Sequence, residues 1–352
     1  MASNNPIPNP RRIFIFDNPR TCSHLFSKLF ANHPELELLY HPFLPAALYG
    51  PERYQQKTKH CAAADEVQRK WGTSEEFREW NVVTYESANR KLVKEIEAAE
   101  RQRLRLKPSW DKSIFCSEHL NALMKHDWML SHLRSPARNP STPNPPGTAS
   151  STNETTLTNP TYIPETLLAT LTPILLIRHP ALSIPSSWRT ESKIKNLSIE
   201  DEDFYLLTTY RWSRDLLTYL HHQSTASSTP STSWRKPIII DAYDVVHRTG
   251  AVTGKLCGEL GLDPAGVQEC WRKLPREEWP GHSVVVAYTR DLLGSGGVER
   301  GVGKPLEENF DIEVETEKWK GEFGEEVGRK LRERVEAEMA DYEYLLSFKM
   351  EV

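Results

Sequence analysis

The sequence predicts an α/β fold: a doubly wound parallel sheet flanked by helices, with a long C-terminal helix and two disordered loop insertions. Three observations predict it. Short apolar runs at residues 13–16, 113–116, 174–177 and 238–240 read as strands buried on both faces. Helical patterns separate them, the alternation expected of a parallel sheet. Charged and polar residues, Arg20, Glu118, His119 and Arg178, fall just past the runs, where sheets of this kind bind ligands.

The first run, IFIF, leads into the turn DNPRTCS, after which Leu25, Phe26, Leu29 and Phe30 recur at helical spacing. A strand, a tight turn and a helix start form an anion-binding arrangement. Arg20 adds a fixed positive charge there, and Thr21 and Ser23 add short donors. No G-x-x-x-x-G-K-[ST] occurs; TGAVTGKL and VERGVGKP have the wrong glycine spacing or lack the hydroxyl after lysine. The segment 41–54, HPFLPAALYGPERY, comes next, and 88–107 reads as a charged helix with a solvated face. The run SIFC ends at the pair Glu118-His119, and ILLI leads into RHPALSIPSSWR. Residues 135–160 and 223–237, rich in Pro, Ser and Thr, bury too little apolar surface to order themselves. From Trp319 through Phe323, Val327, Leu331, Val335 and Met339 to Tyr342, apolar residues recur every three or four positions, a helix packed on the core.

Two of these segments resemble the P-loop sulfotransferases. Pro19, Arg20, Thr21 and Ser23 match the family's 5′-phosphosulfate loop, P-[KR]-[ST]-G-[ST], with Cys22 in place of glycine. Arg178 at a strand end and Ser186 eight residues later match its 3′-phosphate site. An arginine fork suits a phosphate monoester because it donates paired hydrogen bonds. Residues 113–124 and 41–54 look like segments of a fungal-type branch, and Arg300-Gly301 in GVERGVGK is similar to the family's final 3′-phosphate loop. The resemblance implies one P-loop-like domain over residues 1–352: a phosphosulfate-loop half at 10–134, a low-complexity loop at 135–161, and a 3′-phosphate-site half with the C-terminal helix at 162–352.

The resemblance further implies transfer of a sulfuryl group from 3′-phosphoadenosine 5′-phosphosulfate (PAPS) to a hydroxyl or amine of a small metabolite, with no metal. Such chemistry needs a cation at the leaving oxygen and a base for the acceptor proton. Arg20, Thr21, Cys22, Ser23, Arg178, Ser186, Arg300 and Gly301 are the expected donor contacts. His119 is the expected base, since imidazole titrates near neutrality; Glu118 is an alternative or its support, and His24 a rival. Phe43, Tyr49 and Arg53, with His24, are the expected acceptor contacts. Three departures bear on PAPS. Cys22 adds a Cβ where glycine permits positive φ, Asp17 places a carboxylate near a polyanion, and Ser117 stands where related strands often carry a cation. The alternative keeps the fold but performs elimination, cyclisation or isomerisation with His119 or Glu118 as base.

Composition sets the outer limits. The 352 residues suffice for a full α/β core. With 44 basic and 48 acidic residues the net charge is −4, and no basic run interleaves with aromatics, which argues against a nucleic-acid partner. No apolar stretch approaches the roughly 18–20 residues of a membrane helix. The polar start MASNNPIPNPRR and five cysteines without a CxxC pair point to a cytoplasmic protein with reduced thiols. Oligomeric state is not legible.

Overall fold

The computed structural model describes residues 11–54, 58, 75–105, 112–134, 157–195, 197–226, 234–281, 283–299 and 310–352. Five strands, β1 (Arg12–Asp17), β2 (Leu36–Tyr40), β3 (Ser113–His119), β4 (Thr172–Ile177) and β5 (Ile238–Asp241), form one sheet in the order β2-β3-β1-β4-β5. Every pairing is parallel. The four apolar runs read from the sequence all lie in strands. The fifth strand, β2, was not expected: it pairs on one side only, and its sequence LELLY buries only Leu36 fully.

The helices that cover the sheet or frame its ligand end include α1 (Ser23–Leu29), α2 (Leu44–Leu48), α3 (Tyr85–Arg105), α4 (Pro180–Lys195), α5 (Thr249–Leu260), α6 (Ser283–Gly294), α7 (Ile312–Phe323) and α8 (Glu325–Leu346). Alternate strand residues point to opposite faces, as a two-residue period requires. Phe14, Phe16, Cys116 and Leu175 therefore join one apolar layer, with Leu92 and Ile96 of α3. Ile13, Ile15, Phe115 and Leu176 join the other, with Phe26 of α1 and Leu256 of α5. Helices cover both faces, so the sheet is doubly wound. The chain crosses over β1 between β3 and β4, which puts the switch in strand order at the carboxyl end of β1.

Two helical expectations change. Helix α3 is not merely a solvated face: Tyr85, Ala88, Leu92, Ile96 and Ala99 are buried along a stripe too narrow to stand out among its charges. The C-terminal apolar stripe spans two helices, because Gly324 (φ 95°) ends α7 and turns the chain into α8. The 22-residue α8 then docks through buried polar contacts. Glu338 accepts from the Tyr210 N–H at 2.6 Å and the Thr209 hydroxyl at 3.0 Å, and the Tyr342 hydroxyl donates to Asp241 at 2.7 Å. Tyr210 in turn donates its hydroxyl to the carbonyl of Arg178. Helix α8 thus braces the end of β4, where the site begins. The low-complexity stretches at 135–156 and 227–233, and Arg300 and Gly301, lie outside the described residues.

The corner between α7 and α8 depends on Gly328. A Cβ there would lie 2.6 Å from the backbone nitrogen of Lys320, and backbone cannot yield as a flexible side chain does. Overpacking of this kind costs about 1–3 kcal/mol. Gly328→Ala should therefore lower the melting temperature measurably, whereas alanine at Gly321, which meets nothing within 4 Å, should not.

Candidate active site

The turn after β1 is held by its own polar groups. The buried Thr21 hydroxyl donates to the Asn18 carbonyl at 2.8 Å, and the Asn18 amide donates to the Thr209 carbonyl at 3.0 Å. Thr21, expected to meet the donor, closes the turn with its hydroxyl and is on the wall of neither of the two cavities beside the turn. Arg20 (φ 69°) and Cys22 (φ 66°) both take the left-handed conformation, and Cys22 is the residue that opens α1. With His41 (φ 46°), these are the only non-glycine residues with positive φ among the described residues. All three lie at this site. Such conformations cost of order 1–3 kcal/mol each and persist only where the surroundings impose them. Cys22 therefore adopts the glycine-type backbone despite its Cβ.

Arg20, Ser186 and Arg178 come together, but not as a simple pair. Arg20 donates from Nε to Ser186 Oγ at 3.0 Å and from Nη1 to the Tyr288 carbonyl at 3.0 Å. Arg178 donates from Nη1 to the Arg20 carbonyl at 2.9 Å. Arg20 thus stands between Arg178 and Ser186. Among the described residues neither guanidinium has a carboxylate at ion-pair distance. Burial, then the neighbouring Arg178 charge, lowers the Arg20 pKa, an effect that the more distant Asp291 carboxylate opposes only in part. Arg20 and Arg178 line a cavity of about 270 Å³ with Cys22, Ser23 and His24; Asp291 and Glu299 are also on its wall.

His119 stands where this cavity meets a second one, and lines both. β1 and β3 pair in a register that sets Asp17 beside His119, and the ring's Nδ1 lies 2.6 Å from Asp17 Oδ1. That bond leaves Nε2 as the nitrogen available to a ligand. Burial works against the imidazolium, yet attraction and hydrogen bonding to Asp17 outweigh it and raise the His119 pKa. Asp17, expected as a repulsive charge near the loop, is instead fully buried and paired.

Glu118 does not share the role. Its Oε2 accepts from the N–H groups of Phe43 (2.6 Å) and Leu44 (3.1 Å), and its Oε1 from the His119 N–H (2.9 Å), with His41 Nδ1 at 3.1 Å. Completely buried, it fastens the start of α2 and the His41 ring to β3. Its oxygens are engaged by these donors, and Glu118 is on the wall of neither the first cavity nor the second. His24 lines both cavities, but burial and then the neighbouring His41 depress its pKa to about 3, which makes it a poor proton acceptor.

The second cavity, about 540 Å³, is mostly apolar, with Leu44 and Leu48 beside the stacked rings of Tyr49 and Trp80 (5.1 Å apart). Of the expected acceptor contacts, Tyr49 and His24 line it. Phe43 does not: its side chain is wholly buried in the core, stacked near Tyr85. Arg53 does not either, and donates to the Gly50 carbonyl at 3.2 Å. Ser117 is buried within β3, so no cation stands there. Three residues escaped the sequence reading: Glu191, Lys195 and Tyr288, which line the same cavity. Glu191 pairs with Lys195 at 2.6 Å, a helical i,i+4 spacing visible in the sequence, while Tyr288 arrives from the distant α6 and donates to Glu191. The Asp17–His119 contact was legible only as two polar residues ending consecutive buried runs.

Part of the chain is similar in sequence to two fungal proteins. A stretch of 191 residues, 53% of the chain, is 34% identical to the protein named Sulfotransferase ppzF from Metarhizium rileyi (strain RCEF 4871). The same figures hold for Sulfotransferase ppzF from Metarhizium majus (strain ARSEF 297). The chain spans about half the length of these fungal relatives (55%). No family model matches. A superposition on the sulfotransferase domain from the Synechococcus PCC 7002 olefin synthase covers 98% of both chains at 14% identity, with a TM-score of 0.32, too low to add to the fold read from the sheet. In sequence the matched half is sulfotransferase-like.

Cys22 gives a direct test of the loop. Left-handed backbone costs an L-residue about 1–2 kcal/mol that glycine does not incur. Cys22→Gly should raise stability by about 1 kcal/mol in thermal or urea unfolding, and Cys22→Ala should not. A loss on Cys22→Gly would mean that the side chain, not the backbone, matters here.

Proposed function

We propose that this protein transfers a sulfuryl group from PAPS to a hydroxyl or amine of a small metabolite, as a cytoplasmic enzyme. The observation that carries the reading is the position of His119. Its Nδ1 is held by Asp17 while the ring lines both a cation-bearing cavity and a largely apolar one. The residues present suit an anion: Arg20 and Arg178 lack carboxylate partners among the described residues, and Ser186 Oγ, which accepts from Arg20, keeps its own proton to donate. Bound there, PAPS would supply an electrophilic sulfur and a phosphate leaving group. The relatives' name, sulfotransferase, supports the same reaction class.

Each residue takes a separate part of the chemistry. Arg20, on its strained turn, offers a half-buried cation to the negative charge that grows on the leaving oxygen. Arg178 and Ser186 hold the remote phosphate. His119 Nε2 takes the acceptor's proton as the new S–O bond forms and the S–O bond to phosphate breaks, its electron pair staying with the phosphate. Asp17 fixes the tautomer and steadies the resulting imidazolium. A second reading, acid–base elimination, cyclisation or isomerisation, is favoured by the Asp17–His119 pair itself, which is a complete proton-transfer unit without a donor. Incubation of the full chain with PAPS and candidate acceptors, followed by mass spectrometry, separates the two. Sulfated product supports the first; a mass-neutral or dehydrated product supports the second.

His119→Ala should reduce turnover by about 10²–10⁴-fold and leave nucleotide affinity nearly unchanged. As a base His119 acts unprotonated, and its raised pKa puts the acid limb of the rate profile above the ordinary imidazole value of about 6.5. Activity should climb as pH rises through that limb. Asp17→Asn, which removes the attraction that holds the proton, should move the limb to lower pH. A limb unmoved in Asp17→Asn would take His119 out of the rate-limiting proton transfer.

If Arg178 and Ser186 hold a 3′-phosphate, 3′-phosphoadenosine 5′-phosphate should bind at least about tenfold more tightly than AMP, and Arg178→Ala should remove the difference. Calorimetry with both nucleotides checks this. Equal affinities in the unaltered protein would remove the 3′-phosphate site.

A further inference from the structure

The wall of the larger cavity carries a second histidine held by a carboxylate, and the chemistry above does not use it. His41 directly follows β2, takes left-handed backbone (φ 46°) and donates its N–H to the Ser117 carbonyl at 2.9 Å. Its Nδ1 lies 3.1 Å from Glu118 Oε1, and its ring centre lies 4.4 Å from that of His119, with 38° between the planes. The two imidazoles are supported alike. Each is engaged at Nδ1 by a fully buried carboxylate, Asp17 for His119 and Glu118 for His41. Each side chain is 15% exposed, and both line the larger cavity. His119 reaches the cation-bearing cavity as well, whereas His41 does not.

The partners fix the tautomer. A carboxylate accepts, so Nδ1 carries the proton and Nε2 of each neutral ring is an acceptor. Among the described residues no side chain or backbone group is hydrogen-bonded to Nε2 of either ring. His24 packs edge-on to His41 at 5.6 Å; burial and then His41 depress its pKa to about 3, so it stays uncharged beside them. Lys91 and the Glu191–Lys195 ion pair stand on the same wall, but neither is hydrogen-bonded to the two rings. With the rings 4.4 Å apart, the two acceptor nitrogens serve one small region of the cavity. A ligand with a single O–H or N–H there satisfies one of them. A second donor on the next atom reaches the other, and a donor on the far side of the ligand does not.

We propose that His41, oriented by Glu118, is the specificity-determining residue of the acceptor site, and that the acceptor carries two O–H or N–H groups on neighbouring atoms. One of them reacts at His119 and the other donates to His41 Nε2. This rests on the reading of the larger cavity as the acceptor site and on no property of PAPS.

The test is calorimetry on the full chain, without PAPS, at about pH 8, where an ordinary imidazole is neutral. The probes are 2-naphthol, 2,3-dihydroxynaphthalene and 2,7-dihydroxynaphthalene. The two diols carry the same number of hydroxyls on the same ring system and differ only in spacing. The 2,3-diol should bind about fivefold more tightly than the 2,7-diol, as one further hydrogen bond implies. His41→Asn removes the imidazole while keeping a residue that tolerates left-handed backbone. It should bring the two diols to equal affinity and leave the affinity for 2-naphthol nearly unchanged. Nitrogen NMR of the unaltered chain gives a second reading: the His41 Nε2 signal should move on addition of the 2,3-diol and stay in place with 2-naphthol. Equal affinity of the two diols, a preference that survives His41→Asn, or failure of all three probes to bind would each overturn the proposal. If His41→Asn does not fold, the NMR signal decides, and an unmoved signal with the 2,3-diol overturns it. Because no turnover is read, a failed sulfuryl-transfer assay and a failed assignment of His41 remain distinguishable.

Discussion

The contact between Asp17 and His119 is the interaction on which the rest of the site depends. It joins the last residues of β1 and β3, neighbouring strands whose inner residues are buried on both faces. The parallel register cannot slip by one residue without sending Phe14 and Phe16 to the face that holds Ile13 and Ile15. Core packing therefore sets the 2.6 Å distance between Asp17 and His119. Glu118, one residue earlier on β3, points the other way and ties down α2 and His41. Two adjacent residues at one strand end thus serve opposite ends, one facing ligand and one facing scaffold, because successive side chains on a strand alternate.

Strain is concentrated at the same place. Arg20, Cys22 and His41 hold left-handed backbone that β-sheet and helix geometry would not impose. They are kept there by their neighbours: the Thr21 and Asn18 side chains close the turn, and Ser117 accepts the His41 N–H. Nothing in the apolar layers requires these three conformations, so the strain belongs to the shape of the turn and of the cavity walls beside it.

Electrostatics divides the two cavities. On one side Arg20 and Arg178 lie together without a carboxylate at ion-pair distance among the described residues, with Asp291 and Glu299 farther along the wall. On the other, Glu191 and Lys195 form an ion pair at 2.6 Å, and Lys91 stands on the same wall. Tyr288 belongs to both, with its carbonyl on Arg20 and its hydroxyl on Glu191. Helix α6 is consequently the shared wall of the two compartments, and the His119 ring stands at their junction.

The strands β1, β3, β4 and β5 could be read from the sequence because residues buried on both faces form unbroken apolar runs, and the ligand end followed from the parallel topology. Arg20, Arg178, Ser186 and His119 were legible for the same reason: each sits at or just beyond such a run. The edge strand β2 and the buried stripe of α3 were not, since a half-exposed element mixes polar and apolar residues without a clear period. The sequence determined which residues reach the carboxyl end of the sheet; their partners were decided only by tertiary structure. Strand register made Asp17 a support for His119 rather than a repulsive charge, and alternation sent Glu118 into the scaffold and Phe43 into the core. Helix α6 brought Tyr288 to Glu191 across 97 residues. Such pairings depend on contacts between residues far apart in the chain, and local sequence carries no record of them.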